Sequence, residues 1–227
     1  MFWVISKGAC MKKIQKMIVS ILAIIVLSIP LSADTSQLKI RLVPQKRSSQ
    51  KLNFNFIQIE KYETETIYYT FLDTAIAEPH YYRLLIKFLR EAEASDTFIV
   101  NINTYGGNAF TAVQIYNAIK NTKAKTIARV YNAQSAGCMI MLACDKIEAK
   151  DFAMVMMHQW SGGDRGEISD MESRYLAYNR LMKKMLKKMC NGFFTKKEIN
   201  KMLAGGEVYL VDDEIKERAK KWNQKHK

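Results

Sequence analysis

Between residues 66 and 157 the chain alternates short apolar runs with segments of helical period, and this alternation constrains the fold most. Residues 67–72 are aromatic and apolar, as a strand requires. Residues 78–94 carry Tyr81, Leu84, Leu85, Phe88 and Leu89 at helical spacing. A short apolar run over 97–102 leads into Gly106-Gly107, and Val113, Ile115, Tyr116 and Ile119 mark a second helix over 110–119. A strand over 126–131, an apolar helix over 136–143 and a buried strand over 152–157 complete the series. Strand, helix, strand, helix, strand predicts an α/β domain with a parallel sheet covered by helices. Short apolar strands suit burial on both faces. The chain has 227 residues, enough for one such domain with an appendage. Hydrophobic residues at 48% and charged residues at 25% exclude wholesale disorder.

What precedes this pattern differs in kind. Lys12, Lys13 and Lys16 form a positive region, residues 17–29 an apolar run, Pro30 a break, and Leu31-Ser32-Ala33 a small-residue stretch before Asp34. This is the grammar of a secretory signal peptide. The run is short for a spanning helix of roughly 20 residues, though an uncleaved membrane anchor is the alternative for 1–33. The expectation is export to the periplasm or the inner membrane of a bacterium, a setting without ATP. If the segment is not used, the chain is cytoplasmic. Residues 34–62 are polar and basic and read as an N-terminal arm with a strand over 54–59, leaving 63–227 as the folded domain. Beyond the signal, Cys138, Cys144 and Cys190 remain, an odd set without CxxC spacing. Cys138 and Cys144 lie in an apolar stretch and read as small buried side chains.

Beyond residue 157 the chain turns helical. Met171, Tyr175, Tyr178, Met182, Met185 and Met189 recur in alternating steps of four and three over 168–190, a near-heptad seam on one long helix. Such a seam packs on a partner or on its own domain. Shorter helices are expected over 195–203 and 211–222, with a basic tail over 220–227. The net charge is +13, four of it from Lys7, Lys12, Lys13 and Lys16 in the acid-free first 33 residues, which leaves +9. Charge alone supports non-specific attraction to anionic surfaces. No nucleic-acid motif accompanies it, so no nucleic-acid partner is expected. The three His are scattered, so no metal or other cofactor is expected.

Three places carry chemistry. Gly106-Gly107 follows a strand and precedes a helix, where paired glycines are either a plain turn or a way to aim backbone N–H groups into a cleft. Ser135 begins a small-residue turn into a helix, where it is either an N-cap or a hydroxyl beside a site that favours an oxyanion. His158 ends an apolar strand and precedes Ser161-Gly162-Gly163. A serine hydroxyl needs an adjacent base to act as a nucleophile, and imidazole is the usual one. A third group, normally a carboxylate, should orient the imidazole.

The segments INTYGGNAFTAVQIYNAIK, NAQSAGCMIMLACD and FAMVMMHQWSGGDRGEISDMES, in that order, resemble the Clp protease proteolytic subunit family from about Ile67 to Ala219. The resemblance implies the ClpP/crotonase-like fold, a repeated β-β-α superhelix with a protruding handle helix. It implies Ser135 as nucleophile, His158 as general base, and the N–H groups of Gly107 and Ala136 as the oxyanion hole. Residues 168–190 match the handle helix that joins subunit rings, which weights the Met/Tyr seam towards assembly into a homo-oligomeric ring. The third member departs from the family's Asp: Glu207 stands there, one methylene longer. Glu serves in some Ser-His-acid hydrolases. Asp212 and Asp213 read instead as acids at a helix N-terminus. After Ala219, Lys220-Lys221-Trp222 replaces the family's small apolar turn.

The resemblance therefore implies a serine endopeptidase acting on peptides or unfolded proteins through an acyl-enzyme. An ATP-dependent unfoldase partner enters only if the chain is cytoplasmic. Two alternatives accompany it. One is a membrane-associated protease like the signal-peptide peptidases, which use Ser and Lys, against which His158 argues. The other is a catalytically impaired assembly subunit, motivated by Glu207.

Overall fold

The computed structural model describes residues 50–54, 56–159 and 167–225. The signal-like segment 1–33, the first part of the arm and the Ser161-Gly162-Gly163 loop lie outside the described residues. Among the described residues, seven strands form one sheet in sequence order: β1 (Gln50–Phe54), β2 (Ile57–Lys61), β3 (Thr66–Leu72), β4 (Thr97–Thr104), β5 (Lys125–Gln134), β6 (Lys146–Met157) and β7 (Val208–Val211). β3 to β6 run parallel, while β1, β2 and β7 join antiparallel at the two edges. The expected parallel α/β sheet is therefore the centre of a mixed one. The helices are α1 (Arg83–Glu91), α2 (Ala109–Asn121), α3 (Ala136–Met141), α4 (Ile168–Met189), α5 (Lys196–Leu203) and α6 (Asp213–Lys225). This is the α/β architecture of the ClpP/crotonase-like fold.

The central strands are buried as their composition demands. Phe98, Ile102, Ala128, Val130 and Val155 are fully enclosed. Tyr68 stacks on Phe98 with ring centroids 4.3 Å apart. Asp96, itself buried, ties three strand starts together. Its carboxylate accepts from the Thr66 and Glu93 N–H groups at 2.9 Å, and its carbonyl accepts from Lys125 N–H at 3.0 Å.

Residues 50–61 correct one expectation. Where a loose arm with a single strand over 54–59 was expected, the chain makes the β1–β2 hairpin. Ile57 and Ile59 on β2 are buried, so the polar composition masks a half-buried edge pair. β6 also starts earlier than its apolar run. Its first half, Lys146 to Ala149, pairs with Ile127 to Val130, and its second half, Met154 to Met156, pairs with Asn132 to Gln134. Residues 150–153 bulge between the halves, with Phe152 at φ 62° and 90% exposed. The bulge is pinned to α6: Lys216 Nζ lies 2.7 Å from Asp151 and 2.9 Å from Asp212, and Asp212 N–H donates to the Ala153 carbonyl at 2.9 Å. Asp212 and Asp213 thus sit at the α6 N-terminus, as expected.

The seam of α4 divides. Met182, Met185, Leu186 and Met189 are buried on the domain, and Tyr178 meets Phe110 of α2 edge-on at 5.5 Å. Nearer its start, Tyr175 and Leu176 are 58% and 53% exposed. The seam over 182–189 packs on its own domain, while Tyr175 and Leu176 face outward.

α6 continues through Lys220-Lys221-Trp222. Trp222 Nε1–H donates to the Cys144 carbonyl at 3.2 Å, and Asn223 pairs with both backbone groups of Ile147. Arg218 of α6 forks onto Glu198 of α5 with two 2.8 Å hydrogen bonds. Bidentate pairing of this kind is among the stronger side-chain contacts. The Arg218 guanidinium holds the Glu198 carboxyl down at about 2. An unfolded glutamate titrates near 4.3, so this contribution is complete above that pH and fades as pH falls towards 2. Glu198→Gln is expected to lower stability by about 1–3 kcal/mol at neutral pH. It should also make the melting temperature fall less steeply between pH 5 and pH 2 than in wild type, as calorimetry across that range would read.

Candidate active site

The site is built by register. β6 is bonded on one side to β5 and on the other to β7. Gln134 pairs with Met156, and Ser135 N–H donates to the Met156 carbonyl at 2.9 Å. Met157 pairs with Val208 across the antiparallel β6–β7 ladder. One step further sets His158 opposite Glu207. Three consecutive strand ends therefore deliver Ser135, His158 and Glu207 to one place.

Each has a local reason to be there. Ser135 closes β5 and opens α3 at φ 49° and ψ −113°, a conformation uncommon for a residue with a side chain. It occupies the N-cap position of α3, but its hydroxyl makes no capping hydrogen bond. Oγ lies 2.8 Å from His158 Nε2 instead. The N-cap reading therefore lacks its hydrogen bond, and the hydroxyl faces the imidazole. α3 itself can lie this close because Gly137 has no side chain: a Cβ there would come within 2.6 Å of Thr104 Cγ2.

The glycine pair is more than a turn. Gly107 (φ 143°) runs beside the strand-like Ile76, with Ile76 N–H donating to the Gly106 carbonyl at 2.8 Å and Asn108 N–H to the Ile76 carbonyl at 2.7 Å. A Cβ on Gly107 would lie 2.3 Å from the Ile76 carbonyl oxygen, so no other residue fits without moving backbone. Thr104 Oγ1 fastens the loop, donating to the Thr74 carbonyl at 2.6 Å and accepting from Gly106 N–H at 3.1 Å.

Glu207 is launched by a helix stop. α5 opens with a capping box between Thr195 and Glu198. It ends with Gly205 at φ 91°, where Gly205 N–H donates to Met202 and Gly206 N–H to Lys201. That is a Schellman closure, and it turns the chain straight into β7. Glu207 Oε1 lies 3.9 Å from His158 Nδ1, with the glutamate side chain 51% exposed and the histidine 18%. This is ion-pair distance and longer than a hydrogen bond. Asp212 and Asp213, the rival carboxylates, face Lys216.

A cleft of about 260 Å³ opens beside the pair, lined by Tyr105, Gly107, Ser135, His158 and the methionines Met139, Met156, Met157 and Met182. A second cleft, of about 350 Å³, continues past His158 to Gln159, Tyr175, Asn179 and Glu207. Gln159 Nε2 donates to Asn179 Oδ1 of α4 at 2.9 Å, tying the strand end to the long helix.

A family model described as Clp protease matches residues 60–206, about two-thirds of the chain. The chain belongs to the Clp protease family. The matched span holds Gly107, Ser135, Ala136 and His158 and stops one residue before Glu207. The family is one of peptidases, and the chain is accordingly a Clp-type peptidase in its overall assignment.

The buried thiols take no part in the site. Burial pushes Cys144 and Cys190 up to about 12 and Cys138 well above the ordinary thiol range. All three are expected to resist a thiol reagent in native protein and to react in urea, as peptide mapping would show. The strained serine gives a second expectation. Ser135→Gly should be more stable than Ser135→Ala by about 1 kcal/mol, because glycine accepts a positive φ without steric cost. Urea denaturation of the two variants measures this.

Proposed function

We propose that this protein is a serine-type endopeptidase that works through an acyl-enzyme. The observation that carries the reading is the 2.8 Å contact between Ser135 Oγ and His158 Nε2 at the mouth of a cleft. His158 Nε2 takes the proton as Oγ attacks the peptide carbonyl carbon. The N–H groups of Gly107 and Ala136 receive the oxyanion that forms. Collapse breaks the C–N bond, the leaving amine takes the proton from His158, and an ester on Ser135 remains. Water, giving up a proton to His158, then attacks the ester carbon; the C–Oγ bond breaks, and His158 returns the proton to Oγ. Glu207 faces the other ring nitrogen and stabilises the imidazolium formed in each half-reaction. Its Oε1 stands at ion-pair distance, 3.9 Å, from His158 Nδ1.

The methionine-lined cleft suits an apolar side chain next to the cleaved bond. Substrates are peptides or unfolded chains. The outward Tyr175 and Leu176 of α4 support assembly of subunits into a homo-oligomeric ring through that helix. The positive region and apolar run before Asp34 support export to the periplasm or inner membrane, where the enzyme works without an ATP-driven unfoldase. In the cytoplasm an unfoldase would feed it.

One observation favours a second reading. Glu207 is half-exposed and beyond hydrogen-bond distance of His158, as in a catalytically impaired assembly subunit. Kinetics on a fluorogenic peptide separate the two. In the peptidase, Ser135→Ala and His158→Ala each lower kcat by roughly a thousandfold or more, and Glu207→Ala by less. An assembly subunit forms the oligomer and hydrolyses nothing, whichever residue is changed.

A further inference from the structure

The structure assigns Tyr209 as a positioning residue that aims the Glu207 carboxylate at His158. This rests on the peptidase reading and deepens it. Tyr209 O–H donates to Glu207 Oε2 at 3.0 Å, while the other oxygen, Oε1, faces His158 Nδ1 at 3.9 Å. The two carboxylate oxygens are thus divided between the tyrosine and the histidine.

The arrangement follows from strand geometry. Glu207 and Tyr209 are two residues apart where β7 begins, so their side chains leave the same face. On that face Tyr209 stands opposite Met156, and His158 stands opposite Glu207. The phenol has a fixed length and two torsions, and its backbone is fixed in register with Met156 of β6, while the ring is 52% exposed.

The need for such a tether is specific to glutamate. Glu207 has one more rotatable bond than an aspartate and is 51% exposed, so an unheld carboxylate there samples solvent. A charge-assisted hydrogen bond to Oε2 selects the rotamer that faces the imidazole. The bond in turn raises the Tyr209 phenol above its ordinary range, with Glu207 as the cause, so the hydroxyl stays protonated and keeps donating. Among the described residues Tyr209 lines neither cleft beside His158, and its hydroxyl bonds to Glu207.

The test is steady-state kinetics of the full chain on an N-blocked peptidyl aminomethylcoumarin ending in leucine. Wild type, Tyr209→Phe, Glu207→Ala and the double variant are compared, with circular dichroism to show that each is folded. The phenylalanine keeps the ring and removes only the hydroxyl. Tyr209→Phe should lower kcat roughly tenfold with KM unchanged. In the Glu207→Ala background the same change should have no further effect, because there is no carboxylate left to aim. An active wild type with an unaltered Tyr209→Phe overturns this inference and leaves the peptidase reading standing. An equal loss in both backgrounds, or a change in KM alone, also overturns it. A folded wild type that hydrolyses nothing overturns both.

Discussion

The two-sided hydrogen bonding of β6 is the constraint on which the rest depends. On one side its second half pairs in parallel with the end of β5; on the other it pairs antiparallel with β7. Because side chains alternate along a strand, a one-residue slip on either side would turn a functional side chain to the other face. The inner row makes that slip costly. Ala133, Val155 and Leu210 lie abreast on the three strands and are essentially inaccessible to water. Burial of that row therefore holds the outer row, and with it the relation of Ser135, His158 and Glu207. The bulge over 150–153 lets β6 follow two different registers of β5, and Lys216 braces it through Asp151 and Asp212.

Rigidity and strain are distributed accordingly. The Gly106-Gly107 loop and Gly137 allow backbone to approach backbone where any Cβ would collide. Ser135 keeps its unusual backbone because α3, β5 and the Met156 carbonyl hold it from three sides. Glu207 is the loosest member. It stands just before a four-residue edge strand, half in water, after a glycine turn.

Much of this is legible in the chain. The order from β3 through β6 follows from alternation of short apolar runs with segments of helical spacing. Ser135 and His158 stand out because the glycine pair, the serine turn and the histidine strand end follow one another in the order of the family that the chain resembles. The β1–β2 hairpin is not, since its polar side chains hide Ile57 and Ile59. The first half of β6 is obscured in the same way by Lys146, Glu148 and Lys150. β7 is too short for a period to appear, and Val211 reads equally well as the start of a helix. The Tyr209–Glu207 contact is invisible without it, though a Glu-x-Tyr step on a strand is a signal once the strand is known. The α4 seam admits two partners from sequence, and the helix packs 182–189 on its own domain and leaves Tyr175 and Leu176 outward.

The central claim is that Ser135 is a nucleophile activated by His158. The most direct measurement is labelling of the purified protein with a fluorophosphonate probe, followed by peptide mass spectrometry. An activated serine gives a single adduct on Ser135 that disappears in Ser135→Ala and in His158→Ala. A folded, oligomeric wild type that takes no label would contradict it.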